Sequence, residues 1–486
     1  MNSKFTKSAI SFFAKKIYVT IPVIIAFAIL YNPQTFPFWG DDYLLWRYHT
    51  FQGGMASSWE TSAFQVAQEK YRPAYQFVVS ILLKFFGNDP ELFMLVNAAL
   101  LVISGIVLGQ IISLRFQNLK ISIFFGLLLV STSRFTWYST SNALGILETL
   151  STLWILLYIK HYVIAIQTNM RRSFCQAGAY FALAIFTHER YMLIGVSASF
   201  LIFILTNIHQ NKFSKLAHLP LFLVLVNFAI KEFIFEVNIL QGSGIDIADA
   251  SKRDILKTLI LNLPKSFKVM LGNSEYISNR YLSLFLAITS LGALSLLLVK
   301  FKRIKYGFSS TGSVNTGYLL FLILTLFGAL LPGLIEGNLQ ERFLLVPYLC
   351  GTVVLLALLS RLINFKIALY AISIFALVIY AFYFPLRSTS NYYESSARKV
   401  YAELAVHLNQ TPDEPWYLIV TNYGVSLWML GYIRDYDPGS FSQFKNPPIV
   451  FWAGPNLPIE PGKKCLILIV DPLYLPQIQD CPQRFS

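Results

Sequence analysis

Eleven apolar segments of about membrane-spanning length divide the sequence, and this pattern limits the fold more than any other feature. A hydrophobic stretch of about 20 residues is typical of a transmembrane helix. Hydrophobic residues make up 55% of the 486-residue chain and charged residues only 13%, whereas an ordinary soluble domain has about 25% charged residues. The composition argues against a soluble or disordered protein and predicts an all-α polytopic membrane protein. The segments are 16–32, 91–113, 120–134, 143–160, 173–188, 190–207, 217–235, 281–299, 317–336, 342–360 and 366–385.

The distribution of positive charge predicts the orientation of these segments. The formal net charge is +14, which in a soluble protein would suggest a nucleic-acid partner, but no nucleic-acid-binding motif accompanies it. Most Lys and Arg residues lie instead in every second connection between apolar segments, as the positive-inside rule describes. Eleven spans with a cytoplasmic N-terminus fit this pattern. The apolar stretch Tyr75 to Phe86 is too short to cross, and counting it as a span would invert the later loops, so we predict an interfacial helix there.

With this topology, three long segments lie outside the membrane and two domains result. Residues 1–385 form the transmembrane domain, whose long outer loops are 33–90 and 236–280. Residues 386–486 form a small C-terminal extracytoplasmic domain, predicted to be α/β because short strand-like runs occur at 416–421, 449–452 and 466–470. Cys465 and Cys481 both lie in this domain. An exported location favours a disulfide between them, and two unpaired thiols are the alternative.

Two adjacent carboxylates, Asp41 and Asp42, follow the first span at the predicted outer surface. An acid in this position meets both a lipid head group and an aqueous acceptor, so it suits the role of general base, with or without a divalent cation. The alternative is that the pair caps the N-terminus of a helix beginning at Tyr43.

Further charged residues lie in the predicted outer turns, and Glu148 lies inside the fourth span near its outer end, where it could line a cavity or form a hydrogen bond between helices. Each has a structural alternative: Arg72 could snorkel to the interface, and the turn at His188 could be a self-neutralising salt bridge. Taken together, acids and cations on one side of the membrane favour an enzyme that acts on a phosphorylated lipid. These residues are Glu69, Arg72, Glu148, His188, Glu189, Arg190 and Arg342.

The acidic pair Asp41–Asp42, the sequence Tyr71-Arg72-Pro73, and the later Phe86-Gly87-Asn88 and Asn97 resemble the GT-C superfamily of integral membrane glycosyltransferases. Glu189 and the turn Glu341-Arg342-Phe343 add to the resemblance. In size and plan the chain is most similar to bacterial and phage enzymes that add glucose to O-antigen.

The resemblance implies an inverting transfer of a sugar from a polyprenyl-phosphate donor to an outer glycan such as lipopolysaccharide O-antigen, in the bacterial inner membrane. Asp41 or Asp42 would be the base, and Glu69 and Glu189 would be binding residues. Cationic side chains would bind the departing phosphate, and the candidates are Arg72, His188, Arg190 and Arg342. No cofactor is expected, although a divalent cation at Asp41 and Asp42 stays open.

Two other functions remain as alternatives. A polysaccharide polymerase or ligase would use a lipid-diphosphate donor and place its essential cations in later outer loops. A lipid-linked sugar transporter or flippase would tolerate loss of Asp41 and Asp42 but would need polar groups near the middle of the membrane.

Overall fold

In the computed structural model, most of the described residues between 20 and 383 form helices. The described residues are 20–31, 72–86, 90–141, 145–209, 213–234, 257–258, 261–263, 313–336 and 341–383, with three short strands at 416–420, 464–468 and 483–485. The helices are α1 (Thr20–Leu30), α2 (Pro73–Phe86), α3 (Pro90–Phe116), α4 (Leu119–Thr132), α5 (Trp137–Ser141), α6 (Ile146–Thr168), α7 (Arg171–Thr187), α8 (Met192–His209), α9 (Leu219–Ile234), α10 (Ser313–Glu336), α11 (Leu345–Leu362) and α12 (Phe365–Tyr383). Short 3₁₀ turns precede several of them, among them Glu189–Tyr191 and Glu341–Leu344.

A multi-pass membrane protein is what these helices indicate. Ten of the eleven predicted apolar segments coincide with a helix, and the remaining one, 281–299, lies outside the described residues. Within the described part, six helices are long and apolar enough to cross a membrane. The full count of eleven spans therefore stays a prediction. Helix α2 has 14 residues, or about 21 Å of helix, which is shorter than the roughly 30 Å hydrocarbon layer.

Tight connections make consecutive helices antiparallel and so bring distant residues to the same end of the bundle. Gln117 and Asn169, with φ of 53°, allow the chain to reverse between α3 and α4 and between α6 and α7. As a result α4, α7, α9 and α10 finish where α6, α8 and α11 begin. We call this the site end of the bundle. The opposite, basic end carries Arg115, Lys120, Lys160, Arg171 and Arg172.

Helices α3 and α4 are joined by backbone-to-backbone contact through three glycines. A Cβ placed on Gly126 would meet the carbonyl oxygen of Gly105 and lie 2.6 Å from the backbone nitrogen of Gly109. Equally, a Cβ on Gly109 would lie 2.6 Å from the carbonyl oxygen of Ser122. Small residues let membrane helices approach this closely and gain van der Waals contact without a hydrophobic driving force.

Aromatic side chains fill the centre of the bundle between α6, α7 and α10. Tyr162 packs with Phe174 and Phe321, and Tyr158 with Phe181. The hydroxyl of Tyr162 donates to the carbonyl oxygen of Ala217 at 2.9 Å, which satisfies a polar group that would otherwise be costly inside a membrane. This packed centre holds the helices whose ends form the site.

The C-terminal region contributes three parallel strands in the order β1 (Trp416–Val420), β2 (Lys464–Leu468) and β3 (Gln483–Phe485). Strands therefore occur at two of the three predicted positions, while 449–452 lies outside the described residues. Cys481 also lies outside them, so the predicted disulfide with Cys465 is untested. An α/β domain at 386–486 stays a prediction.

Replacing Gly126 with Ala tests the contact between α3 and α4. The added methyl group meets backbone atoms that cannot move independently, so we expect a loss of about 1–3 kcal/mol of stability, measured by thermal unfolding in detergent. Gly317→Ala is the matched control, because its nearest neighbour is Leu205 Cδ1 at 3.4 Å, an ordinary contact. Equal stability of the two variants would contradict the close approach.

Candidate functional site

The turn between α7 and α8 places three charged or titratable side chains inside the site end. Helix α7 ends at Thr187, and His188 adopts an extended conformation (φ −148°, ψ 112°) before the 3₁₀ turn Glu189–Tyr191 leads into α8. The backbone N–H of Arg190 donates to Nδ1 of His188 at 3.4 Å, so the imidazole caps the turn. His188, Glu189 and Arg190 are all buried, with 4%, 1% and 7% of their surfaces exposed.

Glu189 forms a two-point ion pair with Arg72, which lies 117 positions earlier in the chain. Nε of Arg72 donates to Oε2 of Glu189 at 2.7 Å, and Nη2 donates to Oε1 at 2.8 Å. Arg72 immediately precedes Pro73, the first residue of α2, where proline is well suited to begin a helix. The pair therefore ties the start of α2 to the turn before α8. The hydrogen-bond partner of Glu189 lies outside the turn, while Nδ1 of His188 within the turn is 3.8 Å from Oε2.

The second acid of the site, Glu148, lies in the first turn of α6 and faces His188. Its Oε1 is 3.7 Å from Nε2 of His188. Because Nδ1 of His188 accepts a hydrogen bond, the proton of the neutral ring is on Nε2 and points toward Glu148. Burial, together with the charges of Arg72 and Arg190, lowers the pKa of His188 to about 4. This environment favours the neutral form of His188 near pH 7, whereas the sequence analysis expected a positive charge there.

Arg190 stacks on the ring of Phe343. Within the described part of the chain, its Nη1 has no hydrogen-bond partner. Phe343 belongs to the turn Glu341–Leu344 before α11, and its ring also contacts His188 edge-on. The predicted binding residue Arg342 therefore belongs to a turn that adjoins the site, although its side chain lies outside the described residues.

Lys231 on α9 is a site residue that the sequence analysis missed. It is 1% exposed, and Nζ has no hydrogen-bond partner among the described residues. Its charge interacts with those of Glu189 and Arg72, which places it at the same site. The buried face of α9 consists of Pro220, Val224, Asn227 and Lys231.

The spacing of this buried face is the signal that would have revealed Lys231. Residues 220, 224, 227 and 231 recur at helical intervals and share one side of α9. The neighbouring acid, Glu232, is exposed. If the helical spacing is ignored, the adjacent Lys231 and Glu232 suggest a charged pair in the head-group region at the end of a transmembrane helix.

The buried charge cluster consists of Arg72, Glu148, His188, Glu189, Arg190 and Lys231. Among the described residues, and with His188 neutral, three cations oppose two carboxylates and leave one positive charge. Burying a cation without a partner is unfavourable. Because Arg190 and Lys231 each have N–H donors that no described residue accepts, the cluster suits an anionic group that carries acceptor oxygens.

Three predicted site residues, Asp41, Asp42 and Glu69, lie outside the described residues, so their positions relative to the cluster are untested. Among the described residues, no group of three or more His, Cys, Asp or Glu side chains is placed to hold a metal ion. No protein-family model matches the chain, and no curated protein matches it either.

Removing Arg72 tests the ion pair. Arg72→Met leaves the buried Glu189 carboxylate without its partner, and we expect a loss of about 3–5 kcal/mol in thermal unfolding of the detergent-solubilised protein. Adding Glu189→Gln to that variant removes the orphaned charge and should recover part of the loss. Arg171→Met, at the exposed start of α7, is the control. Full stability of Arg72→Met would show that the pair contributes nothing.

The pKa of His188 predicts how stability responds to acid. The unfolded chain binds a proton near pH 6.5, but the folded protein does so only near pH 4, so stability falls as the pH drops through this window. By pH 4 the loss from this group is about 3 kcal/mol. His188→Gln should unfold with a shallower dependence between pH 6.5 and 4. An unchanged dependence would contradict the buried neutral histidine.

Proposed function

We propose that the chain is an inverting glycosyltransferase that moves a hexose, such as glucose, from a polyprenyl-phosphate donor to an extracytoplasmic glycan. The observation that carries this proposal is the charge cluster, whose described residues have one net positive charge and include the spare N–H donors of Arg190 and Lys231. A sugar phosphodiester carries one negative charge and several acceptor oxygens, which complements both properties. A lipid diphosphate carries at least two negative charges and therefore matches the single positive charge of the described cluster less well.

The lipid-facing side of α9 supports a donor with a hydrocarbon tail. Phe222, Leu225, Phe233 and Ile234 are each more than half exposed, as expected for a helix whose outer face meets acyl chains. Lys231 lies on the opposite, buried face of the same helix. A phosphate bound at Lys231 would therefore sit one helix width from the bilayer, which suits an amphiphilic donor whose tail remains in the lipid.

The proposed reaction is a single nucleophilic displacement at the anomeric carbon, with inversion of configuration. Asp41 or Asp42 removes the proton of an acceptor hydroxyl, and the acceptor oxygen attacks the anomeric carbon from the face opposite the phosphate. The bond between that carbon and the phosphate oxygen breaks, and its electron pair stays on the phosphate. The departing polyprenyl phosphate gains negative charge in the transition state, and Arg190 and Lys231 would stabilise it.

The two ends of the bundle support an orientation for this reaction. Basic connections favour the cytoplasm, and the charge cluster lies at the end opposite them. The cluster and the C-terminal segment would then face the periplasm of a bacterial inner membrane, with a cytoplasmic N-terminus. An acceptor such as lipopolysaccharide O-antigen is proposed from the resemblance to O-antigen-modifying enzymes.

Sugar transfer by the purified protein tests this function. With polyprenyl-phosphate glucose and an O-antigen acceptor, we expect one of Asp41→Asn and Asp42→Asn to lower turnover by about 10²–10⁴-fold while donor binding persists. A chelator should leave the rate unchanged. The matched control is Glu232→Gln, which removes an exposed carboxylate at the end of α9.

The other outcomes separate the alternatives. Normal turnover by both aspartate variants would show that neither is the base. Transfer from a lipid-diphosphate donor alone would favour a polymerase or ligase. Movement of the donor between leaflets without any transfer would favour a flippase.

A further inference from the structure

The buried face of α9 contains a second polar residue that the charge cluster does not explain. Asn227 is 0% exposed, and neither Oδ1 nor Nδ2 has a hydrogen-bond partner among the described residues. It lies one helical turn before Lys231 and therefore on the same face. Most buried polar groups in folded proteins are hydrogen-bonded, so an amide with both ends unused calls for an explanation.

Asn227 and Lys231 differ in the hydrogen bonds that they offer. An ammonium group only donates, whereas a carboxamide both donates and accepts. Phosphate diester oxygens only accept, so they match Lys231. A hydroxyl group both donates and accepts, so it matches Asn227. The two side chains together therefore suit a ligand that carries a phosphate and a hydroxyl a few ångströms apart.

Close helix packing limits how far such a ligand can reach beyond Asn227. Pro220 lies two turns further from the site end on the same face of α9. There, α8 approaches so closely that a Cβ on Gly195 would lie 2.9 Å from the carbonyl oxygen of Pro220. The carboxamide of Asn227 thus lies between the charge cluster and the close contact of α8 with α9. This position favours a single small group of the ligand, such as a hydroxyl, over an extended hydrocarbon or sugar chain.

We propose that Asn227 binds a hydroxyl of the transferred sugar and helps determine which sugar the protein accepts. This inference rests on the proposed function, in which Lys231 contacts the donor phosphate. Asn227 is then a specificity-determining residue whose contact is made only when a sugar is attached to the phosphate. A buried water molecule bonded to Asn227 is the competing explanation.

Binding measurements with two lipids separate these possibilities. The probes are polyprenyl phosphate and polyprenyl-phosphate glucose, and the variants are Asn227→Leu, which is close in size but apolar, and Lys231→Met. Asn227→Leu should weaken binding of the glucose donor about tenfold and leave polyprenyl phosphate unchanged. Lys231→Met should weaken binding of both. Thr325→Val, which removes a different buried hydroxyl on α10, is the control and should affect neither.

A series of deoxyglucose donors identifies the hydroxyl. The donor that lacks it should bind the wild type about as weakly as the glucose donor binds Asn227→Leu, and it should be insensitive to that substitution. If Asn227→Leu does not fold, as judged by its melting temperature, Asn227→Ser takes its place.

Each remaining result overturns one of the two proposals. An equal loss of both lipids in Asn227→Leu, or wild-type affinity for the glucose donor, would assign Asn227 a structural or water-binding role. Equal binding of the two lipids by the wild type would also overturn the sugar contact. A wild type that binds neither lipid would instead refute the proposed function.

Discussion

The two-point ion pair between Arg72 and Glu189 is the interaction around which the site end is organised. The Glu189 carboxylate is fully buried, 14% of the Arg72 side chain is exposed, and both hydrogen bonds are short, so neither charge is left without compensation. Glu189 is paired with Arg72, and its neighbour Arg190 stacks on Phe343 instead. The same pair fixes the start of α2 relative to the turn before α8.

Hydropathy predicted the helices well because a membrane leaves the backbone few alternatives. Each apolar segment must satisfy its own hydrogen bonds in lipid, so length and composition are sufficient to locate α3, α6, α8, α9 and α11. Length also identified α2, because its apolar stretch is too short for a transmembrane helix and so predicted a helix that does not cross. The strands β1 and β2 were located by their apolar runs.

The contacts inside the site were harder to predict because they join residues that are distant in the chain. Glu189 has a cation next to it in sequence, yet its partner is Arg72, and nothing in a local motif indicates this. The charge state of His188 depends on burial and on two arginines, which a sequence does not reveal. Lys231 and Asn227 were detectable only from the periodicity of the buried face of α9.

The position of Lys231 also has a consequence for how the protein is assembled in the membrane. Lys231 is three residues from the end of α9, so in a newly inserted, isolated helix its side chain reaches the head-group region and the cost of insertion stays small. Its burial beside Glu189 requires α7 and α8 to be in place. Insertion of α9 therefore precedes formation of the charge cluster, and the site is completed only when the helices associate.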